Sequence, residues 1–283
     1  MVKNMAFKKG ISQIGFSRKT SISEIIRLAY DAGFDGIEFK TNIDSEIRFN
    51  STREDIRKIY LMLRNNNLEA ASVSNGANWS YPISSPDESI RRKGIEYAKK
   101  TVEIAYWLET DAILLVPGQV TPEIRYDKAW KNSLKAVVEI GKYALNYNVI
   151  IAIEEVWNKL IFTPLEMERF INEANREIGQ EIIGVYFDVG NIMPFGYPEH
   201  WILYLGEKIK RIHIKDFKGD SPGLIYSIFP PYGSVNWTKV MDALKRIGYK
   251  GYLTAEIPVI DIAKETVVKY ISSLLTDLIK SCE

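Results

Sequence analysis

Five stretches of this sequence run from apolar residues into ionisable ones. DGIEF reaches Glu38, NVIIAIEE reaches Glu154 and Glu155, IIGVYFD reaches Asp188, RIHIKD carries His213, Lys215 and Asp216, and YLTAEI reaches Glu256. A lone carboxylate in such a place is commonly a helix cap or a surface charge. Several on one rim would force some to stay protonated unless a cation lay among them. Three carboxylates and an imidazole suit Mn²⁺, Mg²⁺ or Co²⁺, with Zn²⁺ as a further alternative. Of the 2 histidines, His200 in FGYPEHWILYL falls on a loop or helix start and is expected to be structural. His213 sits between isoleucines in a strand pattern, where ligation explains it better than an unpaired core imidazole. Serine chemistry lacks a G-x-S-x-G elbow, and the single cysteine, Cys282, is the penultimate residue. Metal-assisted acid–base chemistry is left.

Such residues must be brought together by the elements that carry them. Short β-branched runs at 11–16, 35–39, 69–74, 111–116, 148–155, 182–188, 211–216 and 252–257 read as strands. Between them lie helical patterns such as SISEIIRLAYDAG, TREDIRKIYLMLRNNN and TPLEMERFINEANREIG. Ser23 is the expected N-cap of the first, and Thr163-Pro164 opens the last. A repeated strand–helix order implies parallel strands with right-handed crossovers. Eight such units over this length predict a single (β/α)₈ barrel, residues 1–283, whose chemistry sits at the C-terminal strand ends. A doubly wound sheet would call for a Gly-rich fingerprint, and neither G-x-G-x-x-G nor a P-loop is present. Adjacent strand residues point to opposite faces, so Glu154 and Glu155 cannot share one task, and alternation alone does not choose between them.

The composition is that of an ordinary globular protein, 46% hydrophobic and 26% charged over 283 residues. Lys and Arg total 37 against 36 Asp and Glu, which gives no global field for nucleic acid or an anionic membrane. The N-terminal MVKNMAFKKGISQIGF lacks the apolar core of a signal peptide. No apolar run approaches the roughly 18 residues of a membrane span. A cytoplasmic protein is expected.

The segments EVWN (155–158), GVYFDVGN (184–191), RIHIKDF (211–217) and GYLTAEI (251–257), in that order, resemble the sugar-phosphate isomerase/epimerase superfamily of xylose-isomerase-like barrels. That superfamily includes tagatose 3-epimerase, hydroxypyruvate isomerase, ribulose-5-phosphate 3-epimerase and inosose dehydratase. The resemblance implies one divalent metal, manganese before Mg²⁺, Co²⁺ or Zn²⁺, held by Glu155, Asp188, His213 and Glu256. On the E-V-W-N match, Glu155 is expected to face inward with Ile151 and Ile153, and Glu154 to face the helices or the rim. The endonuclease branch of the superfamily uses a histidine-rich trinuclear zinc site, which 2 histidines cannot supply.

By the same resemblance, Glu155 and Glu256 exchange the proton next to a ketose carbonyl through an enediolate stabilised by the ion, while Asp188 and His213 are ligands only. The implied activity is ketose 3-epimerisation of a small sugar or sugar phosphate. Aldose–ketose isomerisation, inosose-type dehydration and a catalytically silent sugar-binding barrel are the alternatives. Trp79 and Trp157 are candidate walls for the sugar, with core packing as the competing role. Asn158, Asn191 and Lys215 are candidate hydroxyl or phosphate contacts, with Lys218 nearby. Glu38 is either a carboxylate behind a ligand or a salt-bridge partner. The chain departs from the family pattern at Asn191, where several members carry His, in the loop YGSVNW (232–237), and in having no arginine after the seventh strand. These are substrate-side positions. The resemblance is compatible with a homodimer or homotetramer.

Overall fold

The computed structural model describes residues 7–218, the backbone of 226–228, and residues 230–282. Its strands are β1 (Lys8–Ser12), β2 (Gly36–Thr41), β3 (Glu69–Asn75), β4 (Ala112–Leu115), β5 (Ile150–Glu154), β6 (Ile183–Asp188), β7 (Ile209–Ile214), the short β8 (Asp216–Lys218) and β9 (Tyr226–Ile228), and β10 (Tyr252–Ala255). All but β8 and β9 form one closed barrel in the order β1-β10-β7-β6-β5-β4-β3-β2. Helices at Ile22–Asp31, Arg53–Asn65, Glu88–Trp107, Tyr126–Ala144, Pro164–Ile178, Pro198–Leu205, Trp237–Arg246 and Lys264–Lys280 alternate with the barrel strands. The fold is a (β/α)₈ barrel, as the strand–helix order predicts.

The chain divides into two compact units. One comprises the segment ending at Glu38, Met62–Ala71 and the chain from Phe187 onward; the other comprises Phe39–Leu61 and Ser72–Tyr186. In the first, β1 pairs in parallel with β2 and β10, and β10 with β7. Gly10 lies opposite Gly36 and Thr254. A Cβ at Gly10 would come within 2.7 Å of the Thr254 hydroxyl, and one at Gly36 within 2.8 Å of the Tyr252 ring. Glycine at these strand positions makes room for the side chains of β10. In the second unit, β4 pairs with β3 and β5, and β5 with β6. Leu114, Val116, Ala152 and Tyr186 form one buried cluster there.

The helix starts follow from local chemistry. Thr163 caps Pro164–Ile178 by accepting from the Glu166 N–H, and the Glu166 carboxylate accepts in return from the Thr163 N–H, a reciprocal capping box with Pro at the first turn. The first helix is capped by Ser21, not Ser23: Ser21 Oγ accepts from the Glu24 N–H at 3.2 Å. Ser23 lies inside the helix, whose buried side is Ile22, Ile25, Ile26, Leu28 and Ala29.

Two strand expectations also shift. The first strand begins at Lys8 rather than Ile11 and ends at Ser12, where Ser12 Oγ accepts from the Ile14 N–H and a 3₁₀ turn follows. Lys8 and Lys9 hide this strand from a hydrophobicity reading. The Lys8 ammonium reaches Glu69, and the Lys9 ammonium reaches the Ser272 and Thr276 hydroxyls. The run at 211–216 divides into β7 and the start of an antiparallel β8–β9 pairing. No helix among the described residues is long and apolar enough to cross a membrane.

Candidate metal centre

Strand alternation sorts the side chains near the C-terminal ends of β5 and β6. Ile183 faces the helices, because a Cβ on Gly141 of the helix Tyr126–Ala144 would lie 3.0 Å from the Ile183 Cδ1. Ile151 pairs with Ile183 and Ile153 with Val185, so those four share the helix-facing side. Ala152, Glu154, Tyr186 and Asp188 take the opposite face, where the Tyr186 hydroxyl meets Ser72 Oγ at 3.1 Å.

Glu154, Asp188, His213 and Glu256 each offer a ligand atom, and these atoms lie within 4.8 Å of one another. The cluster differs from the expected ligand set at one position: it contains Glu154 and not Glu155. Ile151 and Ile153 point at the helices, so a residue in phase with them does not reach the lumen; Glu154 is in phase with the small Ala152 and does. Glu155 lies just past the end of β5, also buried. Alternation separates the two glutamates but does not say which one faces the lumen; the contact of Ile183 with the helix side supplies that missing phase.

His213 is fully buried, and its Nε2 lies 3.0 Å from Glu38 Oε1. Glu38 Oε1 also accepts from Ser12 Oγ at 2.7 Å. In the neutral ring this arrangement puts the proton on Nε2 and the lone pair on Nδ1, which faces Asp188 Oδ2 and Glu256 Oε2, each at 3.6 Å. A carboxylate behind a histidine in this way fixes ring orientation and tautomer for ligation. Of the two roles foreseen for Glu38, this is the one its position supports. No local pattern in the sequence points to Ser12 as the second partner of Glu38, because the two lie on different strands.

Asp188 divides its oxygens between two jobs. Oδ1 accepts from the Asn191 N–H at 2.9 Å and caps the short turn Val189–Ile192. Oδ2 faces His213 Nδ1 and lies 2.8 Å from Lys215 Nζ. Burial alone would raise the Asp188 pKa, but the Lys215 ammonium and His213 outweigh it and hold the carboxyl well below the usual range. Lys215 also donates to Glu256 Oε2 at 2.7 Å. Its ammonium is therefore turned onto the carboxylates, whereas Lys218 is exposed. Next to it, buried Asp216 accepts from the N–H groups of Phe217, Gly233 and Val235 and from Trp237 Nε1, and so pins the 232–237 loop.

The remaining candidates fall in several places. Asn158 is buried; its amide donates to the Gly118 carbonyl at 2.6 Å and accepts from the Leu160 N–H at 3.1 Å, which ties loops together. Asn191 is buried beside Asp188. Trp79 and Trp157 are 56% and 41% exposed, so neither is a core residue. His200 is exposed on the helix Pro198–Leu205 and is not in the cluster.

The donor set fits a divalent ion. Three carboxylates and one nitrogen converge, mostly buried, and such a concentration of negative charge is costly without cations. Oxygen-rich sites of this kind take Mn²⁺, Mg²⁺ or Co²⁺, and Zn²⁺ accepts the same atoms.

Known proteins agree with this architecture. The chain is 26% identical over 254 residues to the L-ribulose-5-phosphate 3-epimerase of Salmonella typhimurium, covering 85% of this chain and 86% of that protein. The D-psicose 3-epimerase of Clostridium cellulolyticum H10, crystallised with D-tagatose, superposes with a TM-score of 0.80 at 19% identity, covering 98% of this chain and 100% of that one. The IOLI protein, whose crystal structure holds a zinc atom, gives a TM-score of 0.80 at 18% identity over 98% and 99% of the two chains. Residues 26–275 match the family described as Xylose isomerase-like TIM barrel, and the chain belongs to that family.

Proposed function

We propose that this protein is a divalent-metal-dependent ketose 3-epimerase, with residues 1–283 acting as one catalytic domain on a small sugar or sugar phosphate. The observation that carries the reading is the convergence of Glu154, Asp188, His213 and Glu256. The likeness to an L-ribulose-5-phosphate 3-epimerase supports the same reaction and makes a phosphorylated pentulose the first substrate to test. Manganese is the first metal to test.

A proton next to a ketose carbonyl is weakly acidic. A divalent ion supplies Lewis acidity to the carbonyl and its neighbouring hydroxyl. Inversion at C3 requires one group to take the proton from one face and another to return a proton to the opposite face. Glu154 and Glu256 fill those two roles in this reading, with Glu154 replacing the Glu155 expected from sequence. Asp188 and His213 hold position, the latter braced by Glu38 and Ser12. Trp79 and Trp157 line the approach of the sugar, and Lys218 is the exposed cation available for a phosphate. Asn158 acts on substrate only through the loops it ties together.

The test is incubation of the Mn²⁺-loaded protein with L-ribulose 5-phosphate, and separately with the unphosphorylated ketose, in D₂O. Deuterium at C3 of both epimers is expected, with higher kcat/KM for the phosphate. Exchange confined to C1 would replace the epimerase reading with aldose–ketose isomerisation.

A further inference from the structure

We propose that Lys215 is a resident cation of the metal centre, competing with the divalent ion for the carboxylates of Asp188 and Glu256 and thereby limiting how tightly metal is held. The inference rests on the metal-centre reading above. Its basis is geometric. Lys215 Nζ bridges Asp188 Oδ2 at 2.8 Å and Glu256 Oε2 at 2.7 Å, and the side chain is only 15% exposed. The same two oxygens each lie 3.6 Å from His213 Nδ1. Ligand atoms about 2.1 Å from a single tetrahedral ion are separated by about 3.4 Å, so the spacing of each carboxylate oxygen from the imidazole nitrogen is already close to that of two ligands on one ion. The ammonium is within hydrogen-bonding distance of both of those oxygens.

Charge makes the two cations antagonists. An ammonium and a divalent ion drawn to the same pair of oxygens repel each other strongly in a site with little water. The ammonium also offsets the cost of burying Asp188, so the centre is stable before metal arrives. Metal uptake must then weaken existing ion pairs, and the four-carbon lysine stem lets the ammonium withdraw. A lysine that merely supported the fold would behave differently: its loss would loosen the carboxylates and weaken metal binding. Competition requires the opposite sign.

The experiment is calorimetric titration of Mn²⁺ into metal-stripped wild type, Lys215→Met and Lys215→Arg, each checked for folding by circular dichroism. Lys215→Met is expected to bind Mn²⁺ more tightly, on the order of tenfold or more, and to melt at a lower temperature than wild type when metal-free. Lys215→Arg keeps the charge and should stay within about threefold of wild type, well short of the gain expected from removing that repulsion. If Lys215→Met does not fold, Lys215→Gln takes its place with the same expected sign. Equal or weaker Mn²⁺ binding by the folded neutral variant overturns the inference and leaves the metal centre standing. A wild type that takes up no Mn²⁺ in the same titration overturns the metal-centre reading itself.

Discussion

At the scale of single residues, the outcome turned on one step along a strand. Asp188, His213 and Glu256 were legible because each is an ionisable residue in or just after an apolar strand run, and all three lie in the cluster. The fourth was not legible, because alternation separates Glu154 from Glu155 without saying which faces the lumen, and the E-V-W-N match points to Glu155 whereas the cluster contains Glu154. Glu154→Gln is therefore expected to lose tight Mn²⁺ binding, and Glu155→Gln to keep it; calorimetry on the two variants decides, and the reverse pattern would restore the expectation from sequence. Glu38 gives a second prediction. Removing the acceptor behind a ligating histidine typically costs 10–100-fold in metal affinity. Glu38→Ala should fall in that range, while Glu38→Gln, which can still accept from His213 Nε2, should lose less. Equal losses for the two variants would show that the hydrogen bond to His213 is not what matters.

Elements were read better than their ends. The strand–helix order and the start of the helix Pro164–Ile178 were plain in the sequence because hydrophobic period and capping chemistry are local. The extent of β1 was not, because its lysines satisfy partners distant in sequence: Lys8 with Glu69, and Lys9 with Ser272 and Thr276. Glu69 shows what such a distant partner contributes. Hydrogen bonds from Lys8 and Tyr252, both at 2.6 Å, hold its carboxyl below the ordinary value despite partial burial. A carboxyl depressed in the folded state adds stability above its unfolded pKa of about 4.3 and loses it as pH falls through the lower folded value. Glu69→Gln should thus be less stable than wild type at pH 7, with the gap narrowing below about pH 4. Melting curves at several pH values measure it, and a gap independent of pH would mean that the charge contributes nothing. On the helix side, Thr163→Ala should cost about 1 kcal/mol through loss of the cap, read as a lower denaturation midpoint with an unchanged slope.

For the molecule as a whole, the carboxylate-rich strand ends of the barrel bring together residues from distant parts of the chain. Ligands drawn from β5, β6 and β7 and from the residue after β10 exist as a set only in the folded chain, so a metal that binds them must bind the native state in preference to the unfolded one. Linkage then ties occupancy to global stability: at a free metal concentration of about 100 Kd the native state gains about 2.7 kcal/mol. For a domain of this size a gain of that order moves the melting temperature by roughly 5–10 °C. Metal-stripped protein titrated with Mn²⁺ should show that rise, and a chelator should reverse it. His213→Ala removes the only nitrogen ligand, so its melting temperature should respond little to the same Mn²⁺ concentrations. An undiminished rise in His213→Ala would mean that the stabilising ion sits elsewhere on the protein.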